Sequence, residues 1–402
     1  MSLFRLWGGS LGGCAAFMIG FMPALSATAE EPIKLGIFLP LSGPAAAGGA
    51  ANRLGYEMAI KQINDAGGIA GRTIEPLYAD DQGDPTVGVS EIKRLVFREG
   101  VQVVVGTQNS QVNLAALPVL NEAQIASISL TGSALLTPEA GPYHFSLAPS
   151  TTTLGQAMVD FAMENLKPAK VALLYDDGAA AKSGAEGIKA GLAEAAIPIV
   201  AEQQYKFHPG DVTPQLLSMR RQNPDVLFLF SASQDDVGVV QKNKLEIGWD
   251  IQEVGSLGVA AAGALAVRVA GPQAFDNVLA QTFERFTYCE STGRGDELIS
   301  DFIESVQAFS GKSETRTDYF NIANGYDSVF ILKAAIEGSG ATDGPAIADW
   351  IENHASEINV LSASGLIASK EDHFLVGPEA LTMVEHPELR NDQGLQKRAP
   401  AC

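Results

Sequence analysis

The sequence predicts an α/β protein built as two doubly wound, Rossmann-like units, and three observations carry that expectation. The 402 residues are 46% hydrophobic and 18% charged, with apolar residues spread along the chain, a length suited to two α/β domains rather than one compact core. From residue 33 onward, short β-rich apolar runs alternate with stretches whose apolar residues recur at helical spacing. After Ser150 the same alternation starts again.

Residues 33–39 are expected to form the first strand. Tyr56, Ala59, Ile60 and Ile63 then recur at i, i+3, i+4 and i+7, one face of a helix that Gly67-Gly68 stops. A second strand is expected at 73–79 and a helix through 87–98. The runs 101–105 and 125–130 are apolar without alternation, as strands covered on both faces of a parallel sheet are. A helical connection at 112–120 joins them. In the second unit, strands are expected at 171–175, 198–202, 226–230 and 251–255, with helices between. Two helical stretches, 297–309 and 320–335, follow without a sheet of their own. They are expected to pack back on the first unit, which makes each domain discontinuous in sequence. The polar tail from Glu388 is expected to be irregular apart from Cys402.

Residues 1–29 carry one basic residue, Arg5, then an apolar run ending at Ala27-Thr28-Ala29, directly before Glu30 and Glu31. That is the pattern of a cleaved signal peptide rather than a retained anchor helix. Lipid attachment at Leu11-Gly12-Gly13-Cys14 is disfavoured, because the apolar run before Cys14 is short and continues past it to Leu25. No second apolar stretch is long enough to span a membrane. Cleavage leaves Cys289 and Cys402, and in an oxidising compartment this even pair is a disulfide candidate, two free buried thiols being the alternative. The formal net charge of −20, from 27 basic and 47 acidic residues, disfavours nucleic acid and anionic membrane surfaces as partners.

Catalytic patterns fail where they are tested. His144, His208, His354, His373 and His386 are scattered, with no pair at helical metal-ligand spacing. Gly311-Lys312-Ser313 ends like a phosphate-binding loop, but Val306 stands where the earlier glycine is required. In Gly338-Ser339-Gly340 the third glycine, Gly344, comes one residue late for a dinucleotide fingerprint, and no Gly-x-Ser-x-Gly elbow exists. The sequence therefore assigns no catalytic residue, no metal ligand and no cofactor; these failures leave an enzyme without evidence rather than excluding one, and a function that is not enzymatic is expected.

The opening Ile33-Lys34-Leu35-Gly36-Ile37-Phe38-Leu39-Pro40-Leu41-Ser42-Gly43-Pro44 resembles the first strand and loop of type I periplasmic binding proteins, in particular the branched-chain amino acid-binding family (Leu/Ile/Val-binding protein and relatives). Ile63-Asn64-Asp65-Ala66-Gly67-Gly68-Ile69, Asp80-Asp81-Gln82-Gly83-Asp84-Pro85 and Gly325-Tyr326-Asp327 agree with the family in order, and the resemblance covers nearly all of the mature chain. It implies two lobes joined by a three-segment hinge, closing over a solute held at the carboxyl ends of the strands. The crossings would lie near 145–150, 279–285 and 359–362. The N-terminal lobe would comprise 30–148 plus 284–358, and the C-terminal lobe 149–283 plus 359–402. It further implies a monomeric periplasmic protein that binds a small-molecule solute and delivers it to the membrane permease of an ABC importer. The alternative is a periplasmic sensor presenting its solute to a membrane receptor kinase, since one fold serves both roles.

By resemblance, Ser110 in Thr107-Gln108-Asn109-Ser110 falls where the family binds the ligand carboxylate. A serine at a helix mouth offers a hydroxyl beside unpaired backbone N–H groups, and the helix dipole favours an anion. Leu130-Thr131-Gly132-Ser133-Ala134 would form the second ligand loop, with Gly132 allowing close backbone approach and Ser133 placed to donate or accept. Simple N-capping is the alternative for both serines. Three positions depart from the family pattern. Ala47-Gly48-Gly49 stands where an aromatic residue is frequent, and Asp176-Asp177-Gly178-Ala179-Ala180-Ala181 lacks an expected tyrosine near Ala180. In Gly255-Ser256-Leu257-Gly258, Leu257 replaces the acid that pairs with the ligand ammonium. An ammonium buried without a carboxylate is costly. Asp235 or Asp236, after Ser231-Ala232-Ser233, would have to move in to compensate, and a solvated helix start is the favoured reading there. The candidate ligand-binding residues are thus Gln108, Asn109, Ser110, Thr131, Gly132, Ser133, Ser231 and Leu257. The expected ligand is an aromatic or aliphatic carboxylate or amide rather than an α-amino acid.

Overall fold

The computed structural model describes residues 31–402 except Pro44, Ala232, residues 312–318 and Ala401, and it leaves the side chains of Gln234 and Asp235 undescribed. The signal peptide expected at 1–29 and the Lys312-Ser313 pair lie outside the described residues.

The first sheet is built from β1 (Ile33–Leu39), β2 (Ile74–Asp80), β3 (Val103–Gly106), β4 (Ala126–Ser129) and β5 (His144–Ser146), all parallel, in the order β2-β1-β3-β4-β5. Helices α1 (Ala46–Asp65), α2 (Pro85–Arg94) and α3 (Ser110–Glu122) connect them. The strands are apolar throughout because both faces are covered. Leu35, Ile37 and Leu39 pack with Tyr56, Ile60 and Ile63 of α1, the face that the spacing predicted. Phe38 and Val104 face the other way, onto Ile92 of α2 and Val112 and Ala116 of α3.

The second sheet starts after α4 (Thr151–Asn165). Strands β6 (Val171–Asp176), β7 (Ile199–Tyr205), β8 (Val226–Phe230), β9 (Gln252–Gly255) and β10 (Val278–Phe283) run parallel in the order β10-β9-β8-β6-β7. Helices α5 (Ala179–Glu194), α6 (Thr213–Arg220), α7 (Gln234–Glu246) and α8 (Leu257–Ala270) cover it. Alternate residues divide between two cores. Leu173, Phe228 and Val254 pack with Leu154, Ala185 and Ile188, whereas Leu174, Leu227 and Leu229 pack with Val237, Val240 and Val259. Among the described residues three acids are buried inside this lobe, Asp176, Asp236 and Glu253, and the last is held by Lys244 Nζ and Gln241 Nε2, each at 2.5 Å.

The late helices α9 (Glu297–Ser310), α10 (Tyr319–Ser339) and α11 (Gly344–His354) return to the first lobe, where Ile299, Phe302, Ile322 and Ile351 join its core. Helices α1 and α10 touch backbone to backbone. A Cβ on Gly55 would meet Ile322 O at 2.0 Å, and one on Gly325 would meet Asn52 O at 2.4 Å. Only glycine fits this approach.

Two expectations need correction. The third passage between lobes does not fall at 359–362, so the second lobe does not take residues from 359. Val360, Leu361, Leu366, Leu375 and Val376 bury against the first core, Leu375 N donates to Ser146 O at 2.8 Å, and fully buried Asp327 accepts from Leu361 N and Ser362 N. The chain enters the second sheet only at β12 (Leu381–Glu385), antiparallel to β10. Nor is the tail irregular. β13 (Gln396–Ala399) pairs antiparallel with β12 and parallel with the short β11 (Thr287–Tyr288). Its polar side chains are taken up by fixed partners: Gln396 Nε2 donates to Ala260 O and Pro387 O at 3.0 Å, and Arg398 Nη1 pairs with Glu284 at 2.7 Å. Cys289 and Cys402 are joined by a disulfide, with Cα atoms 5.6 Å apart. Among the described residues no helix is long and apolar enough to cross a membrane.

Candidate functional site

A cleft lies between the lobes at the carboxyl ends of both sheets, where open α/β sheets place their ligands. At least five helices begin on it. Ala47, Ser110, Thr151, Ala179 and Leu257 all line the cleft, and each stands in the first turn of its helix, α1, α3, α4, α5 and α8. These turns carry the unsatisfied N–H groups and the positive ends of the helix dipoles. Among the described lining residues none is ionisable. The field inside therefore favours an anionic group and opposes an ammonium.

Ser110 is the first residue of α3, and it does not cap that helix. Asn109 does: its Oδ1 accepts from Gln111 N at 2.9 Å and Val112 N at 3.2 Å. Ser110 Oγ is left without a partner among the described residues and faces the cleft wall from the dipole's positive end. Of the other candidates, Gln108, Asn109, Thr131, Gly132, Ser231 and Leu257 also line the cleft. Ser133 does not. It is fully buried where the lobes touch, with Ser183 Oγ of α5 at 3.4 Å from its own Oγ and at 3.3 Å from Ala134 N.

Several lining hydroxyls are engaged within the protein. Thr131 Oγ1 bonds Asn113 Nδ2 at 2.8 Å and Ser129 Oγ at 2.6 Å. Behind it lies His144, whose Nδ1 contacts Ser127 Oγ at 2.9 Å and whose Nε2 meets Asn113 Nδ2 at 3.0 Å. Burial, with His373 nearby, holds the His144 imidazole down to about 3, so the ring is neutral and structural. Gly132 is required by the crossing segment: Thr151 N donates to Gly132 O at 2.6 Å, and a Cβ would meet Pro149 O at 2.8 Å. Ser231 Oγ accepts from Tyr205 OH at 3.1 Å and donates to Ser233 O at 3.0 Å, while Ser256 Oγ donates to Ser231 O at 2.8 Å.

Leu257 projects into the cleft and packs against the cores of both lobes. No described carboxylate stands in for the acid it replaces. Asp236 is not solvated, as expected, but buried. Its carboxylate accepts from His208 N at 3.2 Å and contacts His208 Nδ1 at 3.2 Å, and burial raises its pKa. Asp235 lies outside the described side chains.

The apolar lining was missed in the sequence. Phe207 and Phe230 come from the ends of β7 and β8, Leu154 from α4, and Phe320 and Asn324 from the start of α10. Phe230 was legible as the last residue of an expected strand. Phe207 was not, because it stands alone in the polar run Lys206-Phe207-His208-Pro209-Gly210.

A family model described as periplasmic binding protein matches residues 32–388. Leu/Ile/Val-binding protein homolog 3 of Brucella melitensis is 27% identical, over 82% of this chain and 84% of its own length. The leucine-, isoleucine-, valine-, threonine-, and alanine-binding protein of Pseudomonas aeruginosa is 24% identical, over 82% of this chain and 84% of its own. Among solved structures, a periplasmic binding protein type 1 from Bordetella pertussis superposes with a TM-score of 0.78 at 22% identity, over 88% of this chain and 96% of its own. A branched-chain amino acid transporter substrate binding protein from Streptococcus pneumoniae, in complex with isoleucine, gives 0.75 at 22% identity, over 91% and 97%. At these identities the likeness to solved structures is one of fold.

Proposed function

From the premise that the chain belongs to the periplasmic binding protein family, of the type I, branched-chain amino acid kind, we propose that it is the periplasmic solute receptor of an ABC importer, holding a small carboxylate that lacks an α-ammonium group. The observation that carries this reading is the cleft's charge pattern. Five helix N-termini and an open Ser110 hydroxyl surround a lining without an ionisable side chain among the described residues. A carboxylate gains from the dipoles and from charge-assisted hydrogen bonds at Ser110. An ammonium in the same place would lose its hydration and find no described carboxylate. Phe207, Phe230 and Leu257 suit an aliphatic or aromatic group on the solute. The relatives named for leucine, isoleucine and valine speak for a solute of that size.

Calorimetry with three matched probes tests the reading: leucine, 4-methylpentanoate, which is leucine without its ammonium, and 4-methylpentanamide. The acid should bind, the amide more weakly, and leucine least. Binding of leucine, isoleucine or valine tighter than the acid would overturn the proposal.

A further inference from the structure

The first-lobe wall also carries an acceptor that a carboxylate anchor does not use. Asn52 is fully buried on α1, and its side chain meets the backbone carbonyl Asn321 O at 2.6 Å. A carbonyl only accepts, so the Asn52 atom facing it is Nδ2, and Asn52 Oδ1 faces the other way. Gln108 donates to that oxygen through Nε2. The relay fixes the Gln108 amide in one orientation and leaves Oε1 without a hydrogen bond among the described residues, on the cleft wall beside Gly48. The absent side chain of Gly48 makes room for it, since a Cβ there would collide with Gln108 Oε1. Asn324, buried on the same wall, has an Oδ1 with no partner either. Gln108 stands two residues before Ser110 in one loop, so an anion donor and a neutral acceptor are presented side by side.

We propose that Gln108 is a specificity-determining residue whose Oε1 accepts a hydrogen bond from a neutral O–H or N–H of the solute, which makes the solute class a carboxylate bearing a hydroxyl or primary amide. This rests on the carboxylate reading above. A neutral donor suits the site because it satisfies Oε1 without placing a cation against five helix N-termini. An unmatched Oε1 under a closed, apolar second wall would be left buried and unsatisfied, so a solute without the donor is disfavoured.

The test is calorimetry with two probe pairs that differ only in the donor: 4-hydroxyphenylacetate against 4-methylphenylacetate, and succinamate against 4-oxopentanoate. In the wild type the donor-bearing member of at least one pair should bind about fivefold tighter or more. Gln108→Leu should reduce that ratio to near unity, and Gly48→Ala, which displaces the carboxamide while leaving the Asn52 side chain intact, should reduce it as well. Because the readout is a ratio within one variant, a general loss of stability does not move it. Equal binding within both pairs, or a ratio that survives both variants, overturns the role of Gln108 and leaves the carboxylate reading standing. Ser110→Ala separates the two: if it leaves all four affinities unchanged, the carboxylate reading fails. If none of the four acids binds the wild type, both fail.

Discussion

The two walls of the cleft are built from the same structural device and present opposite chemistry. In each lobe, strands end at the cleft and helices begin there. On the first lobe the polar atoms at those helix starts are open: Ser110 Oγ and Gln108 Oε1 have no described partner. On the second lobe most of them are closed, because Ser231, Ser256 and Ser233 bond one another and Tyr205; Thr151 Oγ1 is the exception without a described partner, and the rest of what reaches the cleft includes Ala180, Phe207, Phe230 and Leu257. On the proposed reading, one wall recognises the solute and the other covers it. In such a division the solute's polar groups dock on the first lobe, and closure of the second removes apolar surface from water, which adds affinity without adding selectivity for charge.

Two buried carboxylates, one in each lobe, also differ in how they are held, and the largest expected effect breaks that contrast. Glu253 in the second lobe is paired with Lys244, whereas Asp327 in the first accepts only backbone N–H groups and the Ser362 hydroxyl, with Arg285 farther off. Lys244→Met leaves Glu253 buried with the Gln241 hydrogen bond but no cationic partner, and should lower unfolding stability by about 3–5 kcal/mol in urea titrations. Solute affinity at a temperature where the variant is folded should be unchanged.

Leu257→Glu turns the covering wall into a recognising one. Weakening of 4-methylpentanoate binding by about 3 kcal/mol is expected, from a buried acid among apolar groups and beside the solute's own charge. Calorimetry showing undiminished binding would place the carboxylate elsewhere. Ser110→Ala should lose about 1.5–3 kcal/mol for the same acid, the range for a hydrogen bond to a charged group, and little for the amide.

The smallest effect is a pH dependence inside the first lobe. Burial pushes Asp327 up to about 6 from 3.8, so between those values the folded state binds a proton that the unfolded chain does not, and stability falls as pH rises. His144, held down to about 3 from 6.5, works the other way, and its stability is lost as pH falls below 6.5. The two oppose each other between about pH 4 and 6. Asp327→Asn removes one of them, so the variant should lose about 2 kcal/mol more than the wild type between pH 6.5 and 4.5. Parallel pH profiles for the two proteins would contradict this.

How much of this was legible in the sequence follows the same physics. Central strands such as β3 and β8 are apolar on both faces and stand out as runs. β12 and β13 do not, because they lie beyond the parallel core of the sheet and carry Glu385, Lys397 and Arg398, whose partners become visible only once distant segments are adjacent. Ser110 was findable from its motif and its place at a helix start. The fate of Ser133 was not, since nothing local distinguishes a serine that meets the other lobe from one that meets a ligand. Leu257 carried the most information for a single residue, as an apolar side chain where the resemblance expects an acid. The third passage between lobes was misplaced because residues 360–376 are apolar enough for either core, and only Asp327 on α10 shows which one holds them.

The close contact of α1 with α10 also bears on how the molecule is made. Asn52 and Asn321, bonded across that contact, are 269 residues apart in the chain. The glycine-to-backbone fit between these helices has no substitute from nearby sequence, so the first lobe cannot complete its core until α10 has been synthesised, and the five parallel strands of the second sheet, β6 to β10, lie in the loop between. Closing so long a loop adds little to the equilibrium cost, which grows only with the logarithm of length, but it places the decisive contact late in time. A nascent chain holding α1 without α10 thus leaves the face of Tyr56, Ile60 and Ile63 without its native cover until most of the second lobe has been synthesised.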